Sequence, residues 1–392
     1  MTHAYAELAS LVDEERLISR LVELVRIPSV NPFDHELGPE EGEAEVAEFI
    51  GNQLSDLDWE VGTIDVAPGR PNVWGVGPGS DETTVALAGH LDTVGVTNFD
   101  DPFSGAVRSG RVHGRGSCDM KAALAAYLEV ATVLTAADAD LNGRVVIAGL
   151  IDEEYQLLGS RAYAEHGPAA DYAIIGEPTS LGVCTAHLGQ FSLRITTHGR
   201  AAHSSIPEQG VNAIEHMARV IEALGRYRAE ILARPEHPMC GTGRISPGVI
   251  RGGDIVAIVP DQCDLEVDRR ITPDDTRESV IDDLRRHLDP LAEADPDFGY
   301  DLSDPTWDIG SLDTPTDSPV VQALSAGALS LGLAPEPVAF QAATDGPNLG
   351  IPSVICGPGA LSRAHTIDEH VEIDEVITAV RLYLHAIVDL LG

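Results

Sequence analysis

Two histidines and a set of acidic residues, each at the end of an apolar run, are the groups of this sequence best suited to chemistry. His90 and Asp92 lie in Gly-His-Leu-Asp-Thr-Val (89–94), and Asp119 lies in Gly-Arg-Gly-Ser-Cys-Asp-Met-Lys (114–121). Glu153 and Glu154 follow Asp152, Glu177 lies in Gly-Glu-Pro-Thr (176–179), and His365 lies in Ala-His-Thr-Ile-Asp-Glu (364–369). Imidazole nitrogens and carboxylate oxygens are ordinary ligands of zinc and similar divalent ions. Collected in one place, these would suit a two-metal centre that activates water for hydrolysis.

The local settings sharpen that reading. His90 and Asp92 are two residues apart, so on extended chain both side chains leave the same face. Asp92 could then fix the tautomer of a liganding His90. Asp119 stands between a glycine-rich approach (Gly114, Gly116) and a long helical pattern. As a helix cap it would accept from backbone N–H groups; as a ligand it could bridge two cations about 3.5–4 Å apart. Asp152, Glu153 and Glu154 cannot all be buried unpaired, so they are solvated or gathered round a cation. Their place directly after the apolar run 144–150 favours the cation. One glutamate would bind it while its neighbour handles protons.

Groups so far apart in sequence need a scaffold that gathers strand ends. Residues 11–27 and 43–57 have the spacing of amphipathic helices, and 85–89, 144–150 and 172–175 read as buried strands, with a helix over 121–136. Strands alternating with helices, with polar groups at strand C-terminal ends, describe an α/β sheet. The pattern changes near 187. Residues 191–197 alternate like a half-exposed strand, followed by a helix over 210–231, strands over 255–259 and 263–269, and a helix over 277–289. That is the content of a small two-layer α+β domain. The α/β pattern resumes with a helix over 318–331, an apolar run at 351–356 and a helix over 373–391, and 294–317 reads as a return linker. The expected organisation is a discontinuous catalytic domain, 1–186 and 300–392, carrying an inserted domain, 187–299.

Composition narrows the partners. A formal net charge of -38 repels nucleic acid and anionic membrane, so neither is expected as a partner. Lys121 is the only lysine, and such an excess of carboxylates suits a cell with a very salty interior, where self-repulsion is screened. An apolar content of 43% is that of a folded protein. No run reaches the roughly 18 apolar residues of a membrane span, and the first residues lack a basic-then-apolar leader, so a cytoplasmic location is expected. The five cysteines are widely spaced with no CxxC pair, which suggests neither a disulfide framework nor a thiolate zinc site.

Taken in order, these motifs, with Gly199-Arg-Ala-Ala-His-Ser-Ser-Ile-Pro and Asp268-Arg-Arg, resemble the M20 metallopeptidase family. The resemblance runs from residue 25 to about 370. It implies a zinc-exopeptidase-like mixed-sheet catalytic domain with an inserted lid and dimerisation domain. It implies two divalent metals, zinc first with cobalt or manganese as alternatives. His90, Asp119 and Glu177 would hold one, and Asp119, Glu154 and His365 the other. Asp92 would orient His90, Glu153 would be the general base, and His203 would stabilise the oxyanion of the partner subunit's site in a homodimer. Arg270 would read the free carboxylate of a small substrate, although Arg269 beside it competes for the role. Relatives often carry an asparagine where this chain has Ala257, so substrate anchoring must differ here. The branch most resembled is acetylornithine deacetylase, although its usual lysine is Leu188 here. Succinyl-diaminopimelate desuccinylase, a broader aminoacylase or dipeptidase, and a catalytically idle binding homologue are the alternatives.

Overall fold

The run Thr84–His90 is buried at every position, which requires a strand covered on both faces. In the computed structural model, which describes residues 2–33, 35–38, 41–139 and 141–392, it lies inside a nine-stranded mixed sheet. Its parallel neighbours are Arg144–Leu150 and Tyr172–Ile175, and Ser353–Ile355 pairs parallel with the latter. On the other side the hairpin Glu60–Ala67 and Arg70–Val76 joins antiparallel through Arg144–Leu150. The hairpin, like the helices Thr2–Ser10 and Leu158–His166, carried no clear pattern in sequence.

Lys121–Ala136 is apolar almost all round and is buried from Lys121 to Leu134 apart from Thr132. A helix of that kind belongs inside a fold. It packs with Glu14–Arg26 and Ile373–Leu391, and the last of these packs with Pro319–Ser330. The one carboxylate on it, Glu129, is fully buried and accepts from Arg16 Nε (2.8 Å) and Arg20 Nη1 (3.2 Å).

The chain forms two compact units, Met1–Ala186 with Asp313–Phe340 and Thr344–Gly392, and His187–Leu312 with Gln341–Ala343. The second unit carries an antiparallel sheet in the order Arg244–Gly252, Gln262–Ile271, Gly189–His198, Gly299–Leu302. Alternate residues of the central strands, Phe191, Leu193, Ile195, Cys263, Leu265 and Val267, are buried with the helices Ala213–Ala233 and Arg277–Ala294. This is a two-layer α+β arrangement.

Three expectations need correction here. Residues 294–317 are not a linker: Gly299–Leu302 and Trp307–Ile309 both pair with Gly189–His198, so the second unit continues to Leu312 and not to 299. The strand expected over 255–259 shrinks to Ile258–Val259, with Ile255 and Val256 exposed. The helix expected to end at 289 runs through Pro290 to Ala294, although the proline gives up its hydrogen bond to the carbonyl four residues back. Among the described residues no helix is long and apolar enough to cross a membrane.

Candidate metal centre

His90 is the last residue of its strand. Its Nδ1 lies 2.9 Å from the Asp92 carbonyl, and a carbonyl can only accept, so Nδ1 carries a proton and Nε2 is the nitrogen turned to the carboxylates. That Nε2 is 3.0 Å from Asp119 Oδ1 and 3.9 Å from Glu177 Oε1. The second oxygen of Asp119 lies 3.4 Å from His365 Nε2, which is also 3.1 Å from Glu154 Oε2. One carboxylate thus stands between the two histidines, with an oxygen turned to each.

Ligand atoms of His90, Asp119 and Glu154 lie within 4.8 Å of one another, and so do those of His90, Glu153 and Glu177. All five expected ligands are therefore gathered. Glu153, expected to carry protons, is itself within a ligand's reach. Asp92 does more than face His90, whose Nδ1 is 3.5 Å from its Oδ1. Its carboxylate accepts from the Asn31 amide (2.7 Å) and from the backbone N–H groups of Glu153 and Glu154 (3.1 Å each), so it fixes the acidic loop.

The electrostatics ask for positive charge. Burial pushes Glu153, Glu154 and Glu177 up, and neighbouring carboxylates add to the rise. Burial would raise Asp119 too, but hydrogen bonds from His365 and His90 outweigh it and hold its carboxyl well below the usual range. Hydrogen bonds to Asp119 and Glu154 raise His365 to about 10. Glu177 Oε1 is buried with no hydrogen-bond partner. An orphaned carboxylate oxygen beside two imidazoles and three further carboxylates fits divalent cations, which would supply the missing charge.

Asp152 does not join this group. It accepts from Arg70 Nη2 (2.9 Å), and Arg70 forks onto Glu43 (2.8 and 2.6 Å). On the other flank Glu369 pairs with Arg115 and accepts from the backbone N–H groups of Cys118 (3.0 Å) and Asp119 (3.1 Å). Gly116 has φ +80 in this approach, and a Cβ there would come within 2.9 Å of Thr93 and 3.0 Å of the Lys121 stem. Burial pushes Lys121 down to about 7, and its Nζ donates to the Ile27 carbonyl (2.7 Å). Asn31, Glu43 and Arg70 carried no sequence signal; Arg115 and Glu369 were visible only as members of the Asp119 and His365 motifs.

His203 and Arg270 belong to the second unit. His203 is exposed in the two-residue strand Ala202–His203, and its Nδ1 accepts from the Ser205 N–H (3.1 Å), which puts the neutral ring's proton on Nε2. Ala257 contributes its carbonyl, which accepts from the Ser204 N–H (3.0 Å). The two arginines separate as adjacent strand residues must. Arg269 is buried against Tyr227 and Asp275, whereas Arg270 is part-exposed and donates from Nε to Asp268 (3.0 Å).

Comparison with known proteins follows the same lines. The model of the peptidase family M20/M25/M40 matches residues 86–389. The N-formyl-4-amino-5-aminomethyl-2-methylpyrimidine deformylase of Bacillus subtilis is 28% identical, over 88% of each chain. The acetylornithine deacetylase of Vibrio atlanticus is 31% identical, over 90% of this chain and 92% of its own. The crystal structure of aminopeptidase PepT from Bacillus cereus superposes with a TM-score of 0.79 at 22% identity, covering 97% of this chain and 99% of that one.

Proposed function

The chain belongs to peptidase family M20/M25/M40 and is a metal-dependent hydrolase; from that premise we propose that it removes a small acyl group from an amino-acid nitrogen, with N-acetyl-L-ornithine as substrate. The observation that carries the hydrolytic reading is the cluster of His90, Asp119 and Glu177, which are buried, with the part-buried Glu153 and Glu154 and the exposed His365; it fits two cations sharing Asp119. Two divalent ions, zinc foremost, would polarise the amide carbonyl and acidify water. Glu153 takes a proton from the attacking water and returns it to the leaving amine, and the burial that pushes its carboxyl up makes it a stronger base than a solvated glutamate. Asp92 keeps Glu153 and Glu154 in place through their backbone N–H groups. Arg270 pairs with the substrate carboxylate, since a planar guanidinium can bind it with two parallel hydrogen bonds. His203, with its proton on Nε2, donates to the developing oxyanion of a partner subunit in a homodimer.

A deformylase is the second reading. It is favoured by the Bacillus subtilis relative and by Ala257, which has no side-chain amide with which to anchor a substrate. The test is a panel at high KCl with zinc added: N-acetylornithine, N-acetylmethionine, N-succinyl-diaminopimelate, the formylaminopyrimidine and several dipeptides. Highest kcat/KM on N-acetylornithine, with a large loss in Arg270→Ala, is expected. Highest kcat/KM on the pyrimidine, unchanged in Arg270→Ala, would replace this reading with the second.

A further inference from the structure

A second histidine pair lies outside the catalytic ligands. The strand Arg111–His113 pairs antiparallel with His370–Glu372, and the register sets His113 opposite His370. Residues opposed in this way project side chains close together on one face of the ladder. Here the ring centroids are 5.1 Å apart, with the planes inclined by 37°. Asp368 completes the group, its Oδ1 lying 3.8 Å from His113 Nδ1.

His370 is buried, and its Nδ1 donates to the Asp368 carbonyl (2.7 Å). That bond fixes the tautomer and leaves Nε2 with a lone pair and no partner among the described residues. An Nδ1–H held by a carbonyl is the usual means of orienting an imidazole that binds metal through Nε2. His113 is part-buried and Asp368 is exposed, so the group opens to solvent. Each residue offers one donor atom, and the three donors lie within 4.8 Å of one another.

We propose that His113, Asp368 and His370 form a third, solvent-facing site for one divalent transition-metal ion of the zinc, cobalt, nickel or copper class. Ligands about 2.0–2.1 Å from a tetrahedral ion stand about 3.4 Å apart. The 3.8 Å gap between His113 and Asp368 closes to that value with a small movement of an exposed carboxylate. Two imidazoles and one carboxylate select these ions over magnesium or calcium, which prefer oxygen ligands. An imidazole binds metal through a neutral ring nitrogen, and burial, with Arg108 and His370 nearby, disfavours the charged form of His113. Arg108 opposes binding, because its Nη2 lies 3.4 Å from His113 Nδ1 and must turn aside. Water would complete the coordination.

The site has a structural consequence. His113 leads into the turn carrying Asp119, and His370 lies five residues beyond His365. An ion held here would clip together the two strands whose extensions carry both of those ligands. The protein, dialysed against Co²⁺ or Zn²⁺ and freed of loose metal, should hold one more equivalent by elemental analysis than His113→Ala or Asp368→Asn. Cu²⁺ loading of wild type should add a mononuclear electron-spin-resonance signal with splitting from two nitrogens, absent from both variants. Both substitutions lie outside the catalytic machinery and should leave kcat/KM within about two-fold. Because the readout is a difference of one equivalent, it stands whatever the catalytic centre holds. Equal metal content in wild type and the two folded variants, with no copper signal lost, would overturn the proposal.

Discussion

Two groups of buried carboxylates in the large unit are built on opposite plans. Glu43 and Asp152 share Arg70, Glu129 faces Arg16 and Arg20, and Glu369 pairs with Arg115. Glu153, Glu177 and Asp345 have no arginine or lysine partner among the described residues, and Glu154 has only His365. Neither oxygen of Asp345 is hydrogen-bonded, and the neighbouring Ser160 hydroxyl donates instead to the Leu157 carbonyl. A buried charge that carries its own counter-ion is architecture; one that lacks it is waiting for a cation from outside. The contrast locates the chemistry more sharply than acidity alone, because both groups contain residues of the same Asp152-Glu153-Glu154 run.

Substitutions should therefore divide cleanly. Glu153→Gln should lower kcat by about 10²–10⁴-fold while metal content, read by elemental analysis, stays at the wild-type level. Loss of metal instead would make Glu153 a ligand and blur the proton-carrying role. Arg70→Ala leaves Glu43 and Asp152 buried without their cation and should cost about 3–5 kcal/mol of stability, measured by urea unfolding. A cost below about 1 kcal/mol would mean that the paired group is not architectural.

Asp345 offers a test in the other direction. Burial pushes it up to about 7, so the folded protein holds this proton more tightly than the unfolded chain does. Its contribution to stability therefore falls as pH rises between about 4 and 7, and the full penalty remains above 7. Metal-free Asp345→Asn should melt above metal-free wild type at pH 8 and level with it near pH 4. A pH-independent difference would remove Asp345 from the unpaired group. The smallest effect belongs to the second unit, where Glu230 is held at about 2, first by its hydrogen bond from Arg286 and then by Arg234 and His287. Its contribution is present above the usual carboxylate range and is lost as pH falls toward 2. Because Glu230 is partly exposed and solvent screens the pair, Glu230→Gln should cost less than about 1 kcal/mol at pH 7.

The candidate ligands were legible from residue type and setting: His90 ends a buried strand, Glu154 and Glu177 follow strands closely, and Asp119 sits between glycines and a helix. That setting gathered His90, Asp119, Glu153, Glu154, Glu177 and His365, and the family resemblance supplied the division into ligands and general base. Their supports were not legible. Asn31, Glu43 and Arg70 sit in segments whose local pattern is that of surface chain, and only tertiary packing turns them inward. The end of the inserted unit was missed for a related reason. Gly299–Leu302 and Trp307–Ile309 are four and three residues long, too short for alternation to show, and they become strands only by pairing with Gly189–His198. The Arg269/Arg270 ambiguity needed the burial of one face of Gln262–Ile271 to resolve it.

The interruption of the large unit by His187–Leu312 also sets an order of events during synthesis. His90, Asp119, Glu154 and Glu177 leave the ribosome first, while His365 and Glu369 follow almost 190 residues later. At about 5–20 residues per second that is a delay of roughly 10–40 s. Over that interval the strand Ser353–Ile355 is missing from the central sheet, and Asp119 lacks both its second histidine and the carboxylate that holds its backbone. All but three residues of the second unit form one continuous stretch, so it emerges almost complete while the first is still open. The nascent chain thus carries a half-built acidic cluster while the second unit is nearly complete, and the whole candidate set is assembled only once His365 and Glu369 have emerged.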